Sequence, residues 1–276
     1  VTAGCAGIGG QDGQTTTAPT QTTAGTTDAP TATETATETA EQFAPGVTAD
    51  GVEDARALAD AHLDALDASD GFVKQSAATR TNESTTGTWN RTFAVENESV
   101  WRLTTVGEAV PVAFGVTNGT LDFYGDGQRA VWQLENATAG NTSYGVRSIT
   151  VDGDGQPIPS NQVFENNFKS LYERSLVYSL AANADSVEAL DDSEGAVELS
   201  GTAGNPPTAF TQTSEVEFTM TVAEDGMATA IEVTYESEPG TVERTVTFDT
   251  DVTDPVEQPD WYETALNETG LSESSS

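Results

Sequence analysis

Along residues 52–66 the apolar positions Val52, Ala55, Leu58, Ala59, Leu63 and Leu66, with His62 among them, recur at three- and four-residue spacings and predict an amphipathic helix. Asp50 is placed to cap it, with Glu53 completing a capping box. From Phe72 the period changes to two. Trp89, Phe93 and Val95, then Trp101 and Leu103, stand between polar neighbours as half-buried strands do. Turn signals at Asn118-Gly119, Asp126-Gly127, Asp152-Gly153 and Asp225-Gly226 separate such runs. The clearest hairpin puts Val216, Phe218, Met220 and Val222 on one face and, after its turn, Ile231, Val233 and Tyr235 on another. A third strand carries Val242, Val246, Phe248 and Val252. One helix interrupts the strands: after Pro159, Ser160 or Asn161 can cap a continuous stripe of Phe164, Phe168, Leu171, Tyr172, Ser175, Leu176, Ser179 and Leu180. The order is helix, about six strands, helix, about four strands and a closing segment around Trp261. That order predicts an α+β fold: a curved, largely antiparallel sheet, open as a half-barrel, with one N-terminal and one central helix packed on it.

Composition changes the picture at the N-terminus. From Ala6 to about Thr48 the chain is rich in Gly, Thr, Ala and Pro, contains the near-repeat Thr33-Glu34-Thr35-Ala36-Thr37-Glu38-Thr39, and holds one aromatic residue, Phe43. Such a segment cannot bury a core. The expected organisation is therefore an anchor segment at 1–5, a disordered linker at 6–49, an α+β domain at 50–268 and a disordered tail at 269–276.

Charge sets the environment and removes whole classes of partner. The chain carries 45 acidic side chains against 10 basic ones, a formal charge of -35. Self-repulsion of that size requires salt to screen it, and the scarcity of Lys beside abundant Asp, Glu and Thr fits a protein that lives in molar salt. Disorder is the other origin of such acidity, but aromatic and β-branched residues are well represented after Gly51. A basic stripe for nucleic acid is absent, whereas a cationic partner fits. No run of 18 apolar residues spans a membrane. A single Cys and a single His leave no disulfide within the chain, no zinc cluster and no ordinary Cys/His pair, and no cofactor is implied.

Val1-Thr2-Ala3-Gly4-Cys5 reads as the end of a lipobox, cut before a cysteine that then carries lipid. The partner so implied is a membrane held through a lipid on Cys5, with the protein exported and anchored to the outer face of the cytoplasmic membrane. A flexible tether directly after the anchor lifts a folded domain clear of the headgroups. The alternative is a free cysteine in a floppy terminus. Seven Asn-X-Ser/Thr sequons at Asn82, Asn90, Asn97, Asn118, Asn136, Asn141 and Asn267 use more than half of the chain's Asn, which fits an N-glycosylated outer surface. Asn118-Gly119 reads equally as a turn.

The lipobox-like Ala3-Gly4-Cys5, the Thr/Glu tether, the opening Gly51-Val52-Glu53-Asp54-Ala55 with Ala59 and His62, and the closing Val256-Glu257-Gln258-Pro259-Asp260-Trp261 together resemble a family of haloarchaeal lipoproteins. The folded part of that family looks like the lipoprotein-carrier (LolA/LppX) type. The resemblance implies an open antiparallel half-barrel with helices against its concave face, a face that in carriers of that shape holds acyl chains. It implies no catalytic motif, and an anchored protein suits a fixed receptor better than a long-range shuttle.

Candidate groove-lining residues are Trp89, Trp101, Trp132, Phe164 and Phe168; aromatic residues on alternating strands also serve as plain core. Asp249, Asp251 and Asp254, like Asp152 and Asp154, read either as calcium ligands or as solvated turns, and no metal site is assigned. His62 on the apolar side of a helix reads as structural. The expectation is a non-enzymatic surface protein with a possible hydrophobic small-molecule or lipid ligand in a concave groove. The alternatives are a glycosylated envelope scaffold with a filled core and, third, a secreted hydrolase whose carboxylate pair no spacing selects.

Overall fold

The computed structural model describes residues 41–148, 168–190, 195–203, 213–238 and 240–270. Cys5, most of the expected linker, the turn at Asp152-Gly153, Asp154, the cap at Ser160 or Asn161, Phe164 and the end of the tail lie outside the described residues.

Three short strands come first: β1 (Gln42–Ala44), β2 (Val47–Thr48) and β3 (Gly51–Val52), paired antiparallel in that order. Residues that composition assigns to the linker thus join a small sheet, because Ala44 and Val47 are buried in the main core. Gly46 makes the turn possible. Its φ is +76°, and a Cβ there would fall 2.2 Å from the Asp54 carbonyl oxygen. Helix α1 (Ala55–Ala68) follows, capped by Asp54, whose Oδ1 accepts from the Arg56 and Ala57 N–H groups at 3.0 Å. The cap expected at Asp50 is displaced because residues 47–52 are extended, and a helix cannot begin until the chain leaves β3.

Eleven strands make one sheet. Six lead from α1: β4 (Phe72–Thr81), β5 (Thr86–Val95), β6 (Val100–Glu108), β7 (Gly119–Asp126), β8 (Arg129–Asn136) and β9 (Asn141–Ser148). A 3₁₀ segment (Phe168–Tyr172) and helix α2 (Arg174–Ala181) come next. Then follow β10 (Ser186–Ala189), β11 (Val197–Ala203), β12 (Thr213–Val222), β13 (Ala228–Ser237), β14 (Gly240–Asp249) and helix α3 (Tyr262–Glu268). The sheet order is β10-β11-β12-β13-β14-β4-β5-β6-β7-β8-β9, antiparallel throughout and open at both edges. The fold class is therefore a large open antiparallel sheet with helices on it, as the periodicity predicts.

The register fixes two faces. Met220 pairs with Ile231, Phe218 with Val233 and Ile231 with Val246, so these residues share one face; the hairpin's two apolar sets meet on the same side of the sheet rather than on different ones. Met220 and Ile231 are fully buried there, which stabilises each side chain by about 2–3 kcal/mol. At the intervening turn Gly226 has a φ of +91°, and a Cβ would lie 2.7 Å from the Ala61 side chain of α1. The third strand stops at Asp249, short of Val252, because the Asp249 carboxylate takes the Asp251 N–H in a turn. Helices α1 and α2 pack together on this helix face, over a core that runs from Phe72 and Phe93 to Val197 and Phe248. The other face carries α3, whose Tyr262, Ala265 and Leu266 pack on Tyr124 and Val131.

The central helix departs from the continuous stripe that periodicity predicts. Glu173 stands between the 3₁₀ segment and α2 with a φ of +63°, a left-handed conformation that breaks the stripe in two. For a residue with a Cβ that conformation costs roughly 1–2 kcal/mol, and what offsets it is the site its carboxylate reaches.

Candidate functional site

Polar residues occupy the apolar phase of three adjacent strands. On β4 the helix face reads Phe72, Lys74, Ser76, Ala78 and Arg80. On β5 it includes Phe93, Arg91 and Trp89, and on β14 Val246, Arg244 and Val242. Register brings them together: Ser76 pairs with Arg91 and with Val246, and Ala78 pairs with Trp89 and with Arg244. The 3₁₀ segment lies across them. Between the two is a cavity of about 340 Å³ lined by Lys74, Trp89, Arg91, Leu171, Tyr235 and Arg244, with Ser76, Ser170 and Glu173 completing the wall.

Lys74 is 1% exposed, and its ammonium donates to the Leu171 carbonyl at 2.5 Å and to Glu173 Oε1 at 2.8 Å. The same Glu173 oxygen accepts from Arg244 Nη2 at 2.7 Å, while Arg244 Nε donates to Ser76 Oγ at 3.3 Å. Arg91 Nε donates to Thr105 Oγ1 at 3.2 Å, and no carboxylate among the described residues forms an ion pair with it. Among the described residues three cations thus line the cavity with one carboxylate, which Lys74 and Arg244 share, an excess of about two positive charges. Elsewhere on the chain the balance is heavily acidic. Beside them Arg80 holds its guanidinium carbon 5.8 Å from the Trp89 ring centroid, and its buried Nε finds no hydrogen-bond partner among the described residues.

Each group responds to that excess. Burial pushes the Lys74 ammonium down, and the pull of Glu173 only partly restores it against Arg244 and Arg91. Burial also lowers Arg91, and the neighbouring Arg244 lowers it further. Burial alone would raise Glu173, but Lys74 and Arg244 outweigh it and hold the carboxyl below the usual range. So Glu173 is ionised, and cannot serve as a proton donor near neutral pH.

The candidate aromatic residues do not share one groove. Trp101 and Phe168 are core, at 0% and 3% exposure, with ring centroids 5.7 Å apart. Trp89 lines the cationic cavity. Trp132 lies on the helix face at β8, where it stacks with the exposed Phe114 at 5.4 Å. His62 is buried: Nε2 donates to the Tyr172 carbonyl at 2.8 Å and Nδ1 accepts from the Ala228 N–H at 3.2 Å. Among the sequons, Asn90, Asn97, Asn141 and Asn267 are exposed, whereas Asn82, Asn118 and Asn136 are half-buried. Asn118 is further engaged: Oδ1 accepts from the Ala109 N–H, and Nδ2 donates to Thr138 Oγ1 at 3.1 Å.

Two other features contrast with the cavity. Asp122, on the opposite face, accepts from Arg102, Thr104 and Trp261, so its buried carboxylate is satisfied and ties the closing segment to the sheet. A wider, more open depression of about 470 Å³ runs largely over the outer face of β11–β13. Asp185, Glu217 and Glu232 line it beside serine and threonine hydroxyls, with no cation among them, so the smaller, more enclosed cavity is the better site. Among the described residues no group of three His, Cys, Asp or Glu is placed to hold a metal, and no helix is long and apolar enough to cross a membrane.

Neither a protein-family model nor a curated protein matches the chain. Among solved structures it is similar to LprF from Mycobacterium bovis, at 10% identity over 75% of this chain and 96% of that one, with a TM-score of 0.38. It is also similar to a DUF1329 family protein from Desulfovibrio piger, at 11% identity over 72% of this chain and 94% of that one, with a TM-score of 0.26. A LolA superfamily protein from Nitrosomonas europaea gives 9% identity over 75% and 98%, with a TM-score of 0.25. Scores of that size carry nothing about ligand or activity; the strand pairings themselves establish the fold.

Proposed function

We propose that this chain is a non-enzymatic binding protein of a halophilic archaeon, exported and held at the outer face of the cytoplasmic membrane through a lipid on Cys5. It takes a hydrophobic or lipid-like molecule on the helix face of its sheet. The observation that carries this reading is the cavity between β4, β5, β14 and the 3₁₀ segment, where Trp89, Leu171 and Tyr235 offer apolar wall beside charged groups. Concave sites that combine the two are the usual form of a ligand pocket. The charge of -35 supports the halophilic setting, and glycans on the exposed Asn90, Asn97, Asn141 and Asn267 fit an outer surface.

Native mass spectrometry of protein extracted in molar salt should show a fraction carrying one lipid-sized adduct. Bare protein throughout, even after incubation with a polar lipid extract, would overturn the reading. The anchor has its own test. Cys5→Ser should move the protein from the membrane to the soluble fraction and remove a lipid mass from the N-terminal peptide; unchanged partitioning and an unmodified Cys5 in the parent would sink it.

The second reading is a glycosylated envelope scaffold. It is favoured by Trp101 and Phe168, which fill the core where a groove would stand open. A scaffold would show no adduct and no ligand-dependent stabilisation.

A further inference from the structure

We propose that the cavity over β4, β5 and β14 is an oxyanion site, and that Arg91 and Arg244 grip the phosphate or carboxylate head of the ligand while Lys74 supplies charge from beneath. The inference rests on the binding reading above and names the chemistry of its head group.

Three observations converge. First, Lys74, Arg91 and Arg244 are three of only ten basic side chains in the chain, and they line one cavity with a single carboxylate among them. On so acidic a protein a surface cation has carboxylates nearby, whereas the described lining of this recess offers one. Second, that carboxylate is already used twice by one oxygen, Glu173 Oε1, which takes both Lys74 and Arg244. Among the described residues Arg91 has a hydroxyl partner alone, Thr105 Oγ1, and that contact engages only Nε. A guanidinium presents five donors in a planar fork that matches an oxyanion, so the terminal nitrogens of Arg91 remain for a ligand. Third, Glu173 reaches the cluster from a left-handed backbone position at the junction of two helical segments. Strain of that kind collects at binding sites. Here it holds the acceptor that ties Lys74 and Arg244 together.

An anion with two charges would neutralise the excess, and Trp89, Leu171 and Tyr235 give an apolar body attached to it a wall to lie against. The acidic exterior repels anions in general, so binding in the recess requires the charge-assisted bonds the two guanidiniums offer.

The test is calorimetry on the full chain at fixed molar ionic strength, with inorganic phosphate replacing chloride. Saturable one-to-one binding is expected. Arg91→Gln should weaken it about tenfold or more, the loss of a hydrogen-bonded charge, and Arg91→Lys, which keeps the charge and most of the packing, should weaken it less. Glu173→Gln should tighten it by removing the competing carboxylate. Phosphate that binds no better than chloride, or an Arg91→Gln variant that binds as the parent does, would overturn the proposal. A dodecyl phosphate arm separates the sources. Binding at least tenfold tighter than inorganic phosphate identifies the head of an amphipathic ligand. Equal binding keeps the oxyanion site and removes the hydrophobic ligand, while lipid that binds Arg91→Gln undiminished removes the site and keeps the ligand.

Discussion

Glu173→Gln is expected to lower the unfolding free energy by about 3–5 kcal/mol, the loss that follows when one partner of a buried charge network is removed. The substitution keeps the shape of the side chain and takes away only its charge. Lys74, at 1% exposure, would then have only neutral acceptors, the Leu171 carbonyl and the glutamine amide oxygen, with no charge to offset its own. Arg244 would exchange its ion pair at 2.7 Å for a neutral hydrogen bond, and both cations would face Arg91 with no negative charge among them. Urea unfolding at constant high salt reads the change. Lys74→Met should do less, because Glu173 keeps Arg244 and the apolar replacement suits its surroundings. Added to Glu173→Gln, Lys74→Met should recover at least about 1 kcal/mol, since contacting residues couple by 0.5–3 kcal/mol. Strict additivity of the two would mean that the network is not coupled. The pH dependence has a definite sign. The folded Glu173 carboxyl lies below its ordinary value of 4.5, so the stability it contributes is present above that pH and is lost as pH falls through the folded value. Phosphate should restore part of the loss in Glu173→Gln by entering where the carboxylate charge was, a result that a purely structural network would not give.

How much of this site was readable beforehand depends on the residue. The apolar alternation of Val216, Phe218, Met220 and Val222 and the three- and four-residue spacing of Leu58, Ala59, His62 and Leu66 are local signals, and strands and helix follow them. The cations left a signal too. Lys74 sits in phase with Phe72, Arg91 with Phe93 and Arg244 with Val246, so each occupies a core-facing position where a charge is expensive. In a chain with ten basic residues, three such placements point to a buried polar site. What no local pattern carries is that β14 pairs with β4 across some 170 residues, placing Arg244 beside Ala78. Nor does helical periodicity foresee Glu173: residues 168–180 keep a helical stripe on either side of it, and only the tertiary reward of reaching Lys74 and Arg244 turns its backbone left-handed. Aromatic content misled in the opposite direction. Trp101 and Phe168 have the composition of a groove, yet Phe168, from the 3₁₀ segment, packs on Trp101 and the two fill the space, because burying apolar surface against the sheet is favourable.

His62→Leu should destabilise the fold by about 3 kcal/mol and should abolish the histidine-linked loss of stability that sets in as the pH falls below about 6.5. His62 joins three elements at once. From α1 its Nε2 donates to the Tyr172 carbonyl at the end of the 3₁₀ segment, and its Nδ1 accepts from the Ala228 N–H at the start of β13. A backbone N–H can only donate, so the ring is neutral with its proton on Nε2. Leucine fills most of the space against Phe248, whose ring lies 4.8 Å from the imidazole, but leaves a buried carbonyl and a buried N–H unpaired, at about 1–3 kcal/mol each. Burial lowers the folded pKa of His62 below 6.5, the effect of the Tyr172 hydrogen bond and of nearby Glu173 notwithstanding. The unfolded chain therefore binds the proton first. Stability is full above about pH 6.5 and falls as the pH drops toward the folded value, by up to about 1.4 kcal/mol per pH unit for one proton. His62 is the single histidine of the chain, so no other histidine contributes to that slope. Unfolding midpoints of parent and His62→Leu, measured at one high salt concentration across this range, should converge as the pH falls; parallel curves would mean that the buried ring takes up its proton without leaving its place between α1, the 3₁₀ segment and β13.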